Sequence, residues 1–435
     1  MVNDGIATPG KGQRIVWIIN QNSYLPDDGP HTRHYSIGKY LARDGYLPIV
    51  FAGNELHHSG RTIDTGGEDF VVRELNGVRF IYVRTHHYER NDIHRVANIA
   101  SFYFRMFKVA RAIAGECGNP CVIYASTMYP TALLLGVKLA RRYGIGCISE
   151  TRDIVPEGFI REGAIRENSL VARAARRFMR YVYERSDELV FTMSGGKRYI
   201  QDMAWDKESG GKIDLSHVHY INNGVDLEDF DANAKTHVLE DEDLDNQNVF
   251  KVVYFGAIRF MNSMPLYIDT ARELKRRGRD DICILLWGTG TKLDEMQEVL
   301  DREGLDNIKI KGYVDKKYIP SIARRADLFI ASGNSSSTGR YGASFNKLFD
   351  YFAGGKPIVL LAELSDSMVE GGGCGVELGA DPEAAVVADE IIRFADMDPN
   401  EYRSYCEASA SLAKQFDYRR LAERIKSIIE RLTCG

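Results

Sequence analysis

The chain has 435 residues, 44% of them hydrophobic and 27% charged, with a net charge of −5. This is an ordinary globular composition, long enough for two or three domains, with no global electrostatic case for nucleic acid. Seven cysteines are scattered without a Cys-x-x-Cys pair, which reads as reduced, cytosolic thiols and argues against a zinc site or a disulfide framework.

No apolar run approaches the ~20 residues that span a bilayer. The polar, Gly-rich stretch Met1–Gly12 does not read as a signal peptide. Residues 1–13 are expected to form a disordered lead-in. Arg14–Asn20 is a continuous apolar run, the pattern of a buried parallel strand. A loop with Pro26 and Gly29 follows, then a helix from about His31 to Asp44 ended by Gly45, then a strand at Pro48–Gly53: a βαβ opening. In such sheets ligands bind beyond the carboxyl ends of the strands. Gly29, His31, Arg33 and His34 are therefore candidates to meet an acceptor or a phosphate; the competing reading is a surface turn of solvated basic residues. No Gly-x-Gly-x-x-Gly follows the strand, which argues against a dinucleotide cofactor.

Phe70–Leu75 and Val78–Val83 around Asn76-Gly77 read as a hairpin. His86-His87 lacks the spacing of a metal site, so no metal ligands are assigned. A helix from about Val96 to Gly115, a strand at Cys121–Ala125, a helix over Thr131–Tyr143 and a strand at Gly146–Glu150 follow. That last strand runs into Glu150-Thr151-Arg152-Asp153. Charges just past a strand end belong to a site or to a salt-bridged turn, and Arg152 and Asp153 are the candidates for acceptor-side or donor-sugar contacts. Between Arg161 and Arg185, seven arginines alternate with apolar residues. Such a basic amphipathic helix either lies on an anionic membrane surface or packs on the core with its arginines solvated. Strands at Glu188–Met193 and Val218–Ile221 lead to Asn222-Asn223-Gly224-Val225-Asp226. The acidic stretch 227–249 reads as a linker between a first domain, 14–226, and a second, 250–415.

The second half repeats the alternation. A strand at Phe250–Phe255 leads to Gly256-Ala257-Ile258-Arg259 and a helix over Met264–Arg277. A strand at Ile282–Trp287 leads to Gly288-Thr289-Gly290, and one at Ile308–Lys311 to Gly312-Tyr313-Val314. Ile319–Arg325 is helical, Leu328–Ala331 and Ile358–Leu361 are strands, and Ala384–Asp396 and 416–432 are helices. Two doubly wound, Rossmann-like α/β units facing across a cleft are the expected architecture.

Between the last two strands lies the most specific stretch, Tyr341–Pro357. Ser344 is a fitting N-cap, Gly354 and Gly355 stop the helix, and Pro357 follows. Phe345, Leu348, Phe349, Phe352 and Ala353 share one face; Asn346, Lys347 and Asp350 lie on the other. A helix start favours an anion, and a carboxylate two turns on, roughly 9 Å along the axis, suits the hydroxyls of a ribose. The plain alternative is an amphipathic helix with a solvated Asp.

Gly-x-Ser-x-Asn-Lys-Leu-Phe-Asp-Tyr-x-x-x-Gly-Lys-Pro resembles the donor-site signature of the family 4 glycosyltransferases, of GT-B architecture, in the branch that builds bacterial surface polysaccharides. Asn223-Gly224-Val225-Asp226 and Arg152-Asp153 resemble further segments of that branch. The resemblance implies a retaining transferase that moves a sugar from a nucleotide-diphospho-sugar, UDP-linked by expectation, to a lipid-linked or polysaccharide-precursor acceptor without a required metal or cofactor. It implies donor contacts at Gly256, Arg259, Gly288, Gly290, Tyr313, Val314, Ser344, Asn346 and Lys347, a ribose anchor in Asp350, and charge at the reacting phosphate from Arg259 and Lys347. It also implies a cytoplasmic protein at the inner face of the membrane. Gly342 stands where many relatives carry a first Glu. Two other readings remain open: a UDP-sugar 2-epimerase, and a non-catalytic nucleotide-sugar-binding partner subunit.

Overall fold

The computed structural model describes residues 10, 12–29, 31–56, 61–90, 92–127, 129–161, 163–258, 264–290, 293–332, 339–342 and 344–433. The chain divides into two compact units, one of Met1–Asn222 with Tyr418–Gly435 and the other of Asn223–Asp417.

The first unit opens with β1 (Arg14–Ile19), α1 (Arg33–Arg43) and β2 (Tyr46–Gly53), followed by a short antiparallel pair, β3 (Glu55–Leu56) and β4 (Arg61–Thr62). The hairpin β5 (Phe70–Leu75) and β6 (Val78–Val83) turns at Asn76 and Gly77, both at positive φ, as a two-residue turn requires. Then come α2 (Ile93–Cys117), β7 (Val122–Ser126), α3 (Pro130–Tyr143), β8 (Gly146–Thr151), α4 (Glu157–Arg161), α5 (Leu170–Tyr183), β9 (Glu188–Phe191), α6 (Gly196–Asp202) and β10 (Val218–Tyr220). The sheet order is β10-β9-β8-β7-β1-β2-β6-β5, parallel except at the hairpin. Its inner strands are buried along their whole length, which is why they read as unbroken apolar runs. The chain steps from β1 to β2 in one direction and from β7 to β10 in the other, so the order reverses between β1 and β7. Right-handed crossovers then place α2, α3 and α5 on one face and α1 on the other.

The second unit begins with α7 (Leu227–Thr236) and α8 (Glu242–Asp245). Here the structure corrects the reading of 227–249 as a linker. The stretch lacks apolar periodicity because ion pairs anchor it: Asp231 meets Arg324, Asp245 meets Arg325, and Asp241 and Asp243 meet Lys311. Then follow β11 (Phe250–Phe255), α9 (Met264–Arg276), β12 (Ile282–Trp287), α10 (Leu293–Glu303), β13 (Ile308–Gly312), α11 (Ile319–Arg325), β14 (Leu328–Ser332), α12 (Asn346–Gly354), β15 (Ile358–Leu361), β16 (Gly375–Glu377), α13 (Ala384–Ala395) and α14 (Pro399–Gln415). The six-stranded sheet is wholly parallel, in the order β13-β12-β11-β14-β15-β16, and reverses between β11 and β14. Finally α15 (Tyr418–Thr433) returns to the first unit and packs on α1.

Helix α14 is an element that the sequence reading passed over. Of its residues only Ser409 and Ala413 are buried, so small side chains carry its packing and no apolar stripe marks it. Its start was legible: Asp398 accepts hydrogen bonds from the backbone N–H groups of Asn400 and Glu401, with Pro399 in the first turn. Among the described residues, no helix is long and apolar enough to cross a membrane.

Candidate functional site

In open α/β sheets the crevice for ligands lies past the carboxyl ends of the strands, where the strand order reverses. Each unit has one such point, and the two are filled differently.

In the second unit the reversal lies between β11 and β14, and α12 follows β14 across the gap. The loops after β11, β12 and β13 are stitched together by their backbones. Gly256 N–H donates to the Trp287 carbonyl, Ile258 N–H to Thr289, and Gly288 N–H to Gly312. A Cβ on Gly288 would meet the Gly256 carbonyl oxygen at 1.8 Å, and one on Gly290 the Ile258 oxygen at 1.4 Å. These glycines are thus required by backbone-to-backbone contact as well as by the edge they line. Tyr313, on the next loop, is 70% exposed, and Val314 beside it is half-buried.

Helix α12 buries Leu348, Phe349, Phe352 and Ala353 and stops at Gly355 with φ +68, as its pattern requires. Its start departs from expectation. Phe345, not Ser344, occupies the N-cap, and no side chain caps the helix. Ser344 Oγ instead accepts a hydrogen bond from Asn223 Nδ2 at 2.8 Å, and the same amide donates to Asn346 Oδ1 at 2.7 Å. Asp350 lies one turn beyond Asn346, roughly 6 Å along the axis.

Lys347 and Asp350 are both half-buried. Lys347 Nζ donates to Tyr254 Oη at 3.2 Å and lies 4.5 Å from the centre of that ring, while Tyr254 donates onward to the Ala257 carbonyl. Its ammonium has no carboxylate partner among the described residues, and burial pushes its pKa down to about 8. Burial likewise raises the pKa of the Asp350 carboxyl, with Lys316 only partly opposing the shift. Among the described residues Asp350 has neither a hydrogen-bond nor an ionic partner. Arg259, the basic residue singled out on the β11 loop, lies outside the described residues.

In the first unit the reversal lies between β1 and β7, and side chains close it. Asn20 Nδ2 donates to Ser126 Oγ at 3.1 Å, and Ser126 Oγ donates to Glu150 at 2.7 Å. Glu150 is wholly buried and also accepts from Tyr124 Oη and from Arg33 Nε and Nη2, the last two at 3.0 and 2.7 Å. Arg33 donates further to the carbonyls of Ile221 and Asn222 at the end of β10. Burial opposes the Glu150 charge, but Arg33 and His34 outweigh it and hold the carboxyl well below its usual range. The competing reading of Arg33 and His34 as solvated residues of a surface turn does not hold: both are buried, and the Arg33 guanidinium, a candidate for an acceptor or phosphate, is engaged by the protein's own carboxylate and carbonyls. Gly29 is fixed by Tyr24, whose ring a Cβ would meet at 2.7 Å, and His31 lies beside that ring.

Some polar atoms at this edge stay unmatched. Arg152 Nε, Asn22 Nδ2 and Ser23 Oγ are buried without a hydrogen-bond partner among the described residues, whereas His34 Nε2 lies 3.4 Å from Glu150 Oε1. Burial also lowers the His34 pKa, the Glu150 hydrogen bond opposing it in part. Arg152 is half-buried and Asp153 exposed. The sequence reading missed Asn22, Ser23 and Tyr124; the run Asn20-Gln21-Asn22-Ser23 directly after a buried strand was the available signal.

The basic stretch 161–185 is less uniform than its sequence. Arg176 pairs with Glu157 through two bonds of 2.8 Å, and Arg180 with Glu184. Met179, Val182 and Tyr183 face the core, whereas Leu170 and Val171 are exposed.

Comparison with solved structures defines the class. The chain has the GT-B fold. Anabaena HepE in complex with UDP aligns with a TM-score of 0.64 at 16% identity, over 97% of this chain and 100% of that one. Sucrose-phosphate synthase from Thermosynechococcus elongatus aligns with a TM-score of 0.66 at 13% identity, over 97% and 100%. Residues 249–396, within the second unit, match the family described as glycosyl transferases group 1. An alpha-D-kanosaminyltransferase of Streptomyces kanamyceticus is 29% identical over 106 residues, which are 24% of this chain and 27% of the relative. The match thus spans about a quarter of that relative's length.

Proposed function

We propose that the protein is a retaining glycosyltransferase of family 4, in the surface-polysaccharide branch. It takes a sugar from a UDP-sugar and delivers it to a lipid-linked or polysaccharide-precursor acceptor at the cytoplasmic face of the membrane, without a required metal. The observation that carries this reading is the pair on α12. Lys347 and Asp350 are half-buried charges without an ion-pair partner among the described residues, three residues apart on one helix face, at the reversal point of the sheet. Unmatched buried charge is costly unless a ligand completes it.

On this account the diphosphate lies over Gly256 and the uncapped start of α12, held by Ser344, Asn346, Lys347 and Arg259. Asp350 accepts the ribose hydroxyls. The loop bearing Gly288 and Gly290 closes the edge, and Tyr313 and Val314 meet the base. As the glycosidic bond breaks, negative charge grows on the leaving phosphate, and a preorganised cation and helix start stabilise it there. Arg152 and Asp153, with His34 beside them, serve the acceptor or the transferred sugar. The unmatched Arg152 Nε supplies a donor for a hydroxyl. The complexes of Anabaena HepE with UDP and glucose and with UDP-glucose support a UDP-linked donor.

The test is product analysis. Purified protein is incubated with UDP-sugars and a bacterial lipid extract, with EDTA present. The expected result is UDP release coupled to a glycolipid that retains the donor's anomeric configuration. Release of a free UDP-sugar isomer, or no turnover with any donor, would contradict the transferase reading.

A further inference from the structure

The first unit's sheet ends at β10, and α15 stands beside that end. Arg424 Nη2 donates to the Tyr220 carbonyl, and Arg431 Nη2 lies 3.1 Å from His219 Nε2. Residues 424, 427, 428 and 431 of α15 have the spacing of one helical face. With Arg14 of β1 and the end of β10 they line a cavity of about 680 Å³. The whole lining belongs to the first unit, away from the carboxyl edge of the second.

The cavity has an apolar floor and a cationic rim. Ile221 and Ile428 are buried, whereas Arg424, Ser427 and Arg431 are exposed. The charges do not cancel. Buried Glu188 lies 3.3 Å from Arg431 Nη2, 2.6 Å from His219 Nε2 and 3.2 Å from His217 Nδ1, so Arg431 is already answered in part. Arg14 and Arg424 have no acidic partner among the described residues. Arg14 donates to the hydroxyls of Tyr46 and Thr433, and Arg424 to a carbonyl, so each meets only neutral groups. Glu430 is the one carboxylate of the described lining.

We propose that this pocket binds a small phosphate monoester, its phosphate drawn to the lining arginines and its organic part resting on Ile221 and Ile428. Guanidinium groups match phosphate oxygens in geometry as well as in charge. A phosphate monoester carries close to two negative charges above pH 7, which suits two arginines without carboxylates. The volume is that of a small-molecule site, typically about 300–1,000 Å³. A bare phosphate ion would leave the apolar floor uncovered, and a neutral sugar would leave the cations unanswered. Ile221 also ties the pocket to the closed edge of the unit. Its carbonyl accepts from Arg33 Nη2 at 2.9 Å, and Arg33 pairs with Glu150. An occupant that bridges α15 and β10 therefore braces the strand end that holds this network. The site is separate from the donor site proposed above and does not depend on it.

Phenyl phosphate is the probe, with benzoate and inorganic phosphate as partial mimics, each titrated into the full chain and followed by NMR of the ligand. Phenyl phosphate is expected to bind about tenfold more tightly than either mimic and to raise the thermal midpoint. Arg424→Gln should weaken it by about tenfold. Ser427→Glu adds a carboxylate at an exposed position of the rim and should weaken it as well, so the test survives if Arg424→Gln disturbs β10. Lys347→Met, in the second unit, should leave phenyl phosphate binding unchanged, and both pocket variants should keep the wild-type affinity for UDP. Equal affinity for phenyl phosphate and either mimic, undiminished binding by Ser427→Glu, or a loss in Lys347→Met matching that of the pocket variants would overturn the proposal. Phenyl phosphate binding without UDP binding keeps this pocket and removes the donor site; the reverse removes the pocket alone.

Discussion

The carboxyl edges of the two sheets have the same topology and opposite electrostatics. At the β1/β7 reversal of the first unit, Glu150 is surrounded by Arg33, Tyr124 and Ser126, and its charge is met inside the protein. At the β11/β14 reversal of the second, Lys347 and Asp350 on α12 have no ion-pair partner among the described residues, and Lys316 only partly offsets the burial of Asp350. The first arrangement contributes to the integrity of the unit, since a satisfied buried network rigidifies what surrounds it. On the function proposed above, the second lowers stability in the free protein and is offset when the donor binds. Two charged clusters that look alike in sequence are told apart only by whether their partners are already present.

The comparison can be broken at either edge. The largest expected effect is at the closed one. Glu150→Ala leaves the Arg33 charge buried and alone, a loss of about 3–5 kcal/mol, read as a marked drop in the thermal midpoint whether or not UDP is present. At the open edge the order is inverted. Asp350→Ala should reduce UDP affinity roughly ten- to hundredfold, since hydrogen bonds to a charged group are worth about 1.5–3 kcal/mol, while the midpoint without ligand stays level or rises. A variant that loses stability instead would place Asp350 among the structural charges.

Lys347 sharpens the contrast through pH. Burial depresses its pKa to about 8 in the folded chain, so the unfolded chain binds the extra proton between that value and the ordinary lysine range. Stability of the ligand-free protein should therefore rise with pH across that window. UDP affinity should move the other way, falling as the ammonium deprotonates above about pH 8. Lys347→Met should remove both trends, which titrations at neutral and alkaline pH would reveal. The smallest effect is expected at Asn223, whose amide holds Ser344 and Asn346 at the start of α12. Asn223→Ala should cost about 1 kcal/mol of UDP affinity, a severalfold change in Kd, with Asn223→Asp as the near-isosteric control that lacks the donor.

Much of this arrangement was legible in the sequence. The strands were, because burial on both faces writes them as unbroken apolar runs. The hairpin was, through Asn76-Gly77, and so was α12, through its apolar stripe and its glycine stop. What escaped has a physical cause in each case. Helices α7 and α8 are held by ion pairs and α14 by small residues, so none carries a strong apolar period. Ser344 has a good N-cap side chain, yet Asn223, distant in sequence, engages its hydroxyl. Arg33 and His34 sit at a helix start where exposure is the usual expectation. Only the fold brings Glu150 from β8 and Tyr124 from β7 to bury them.

The most direct test of the contrast between the edges is calorimetric titration of UDP into the wild-type protein and into Asp350→Asn, with the thermal midpoint of each recorded without ligand. The account predicts that the wild type binds UDP, that the variant binds it at least tenfold more weakly, and that the variant is no less stable. Equal UDP affinity in both proteins, or no binding by the wild type, would contradict it.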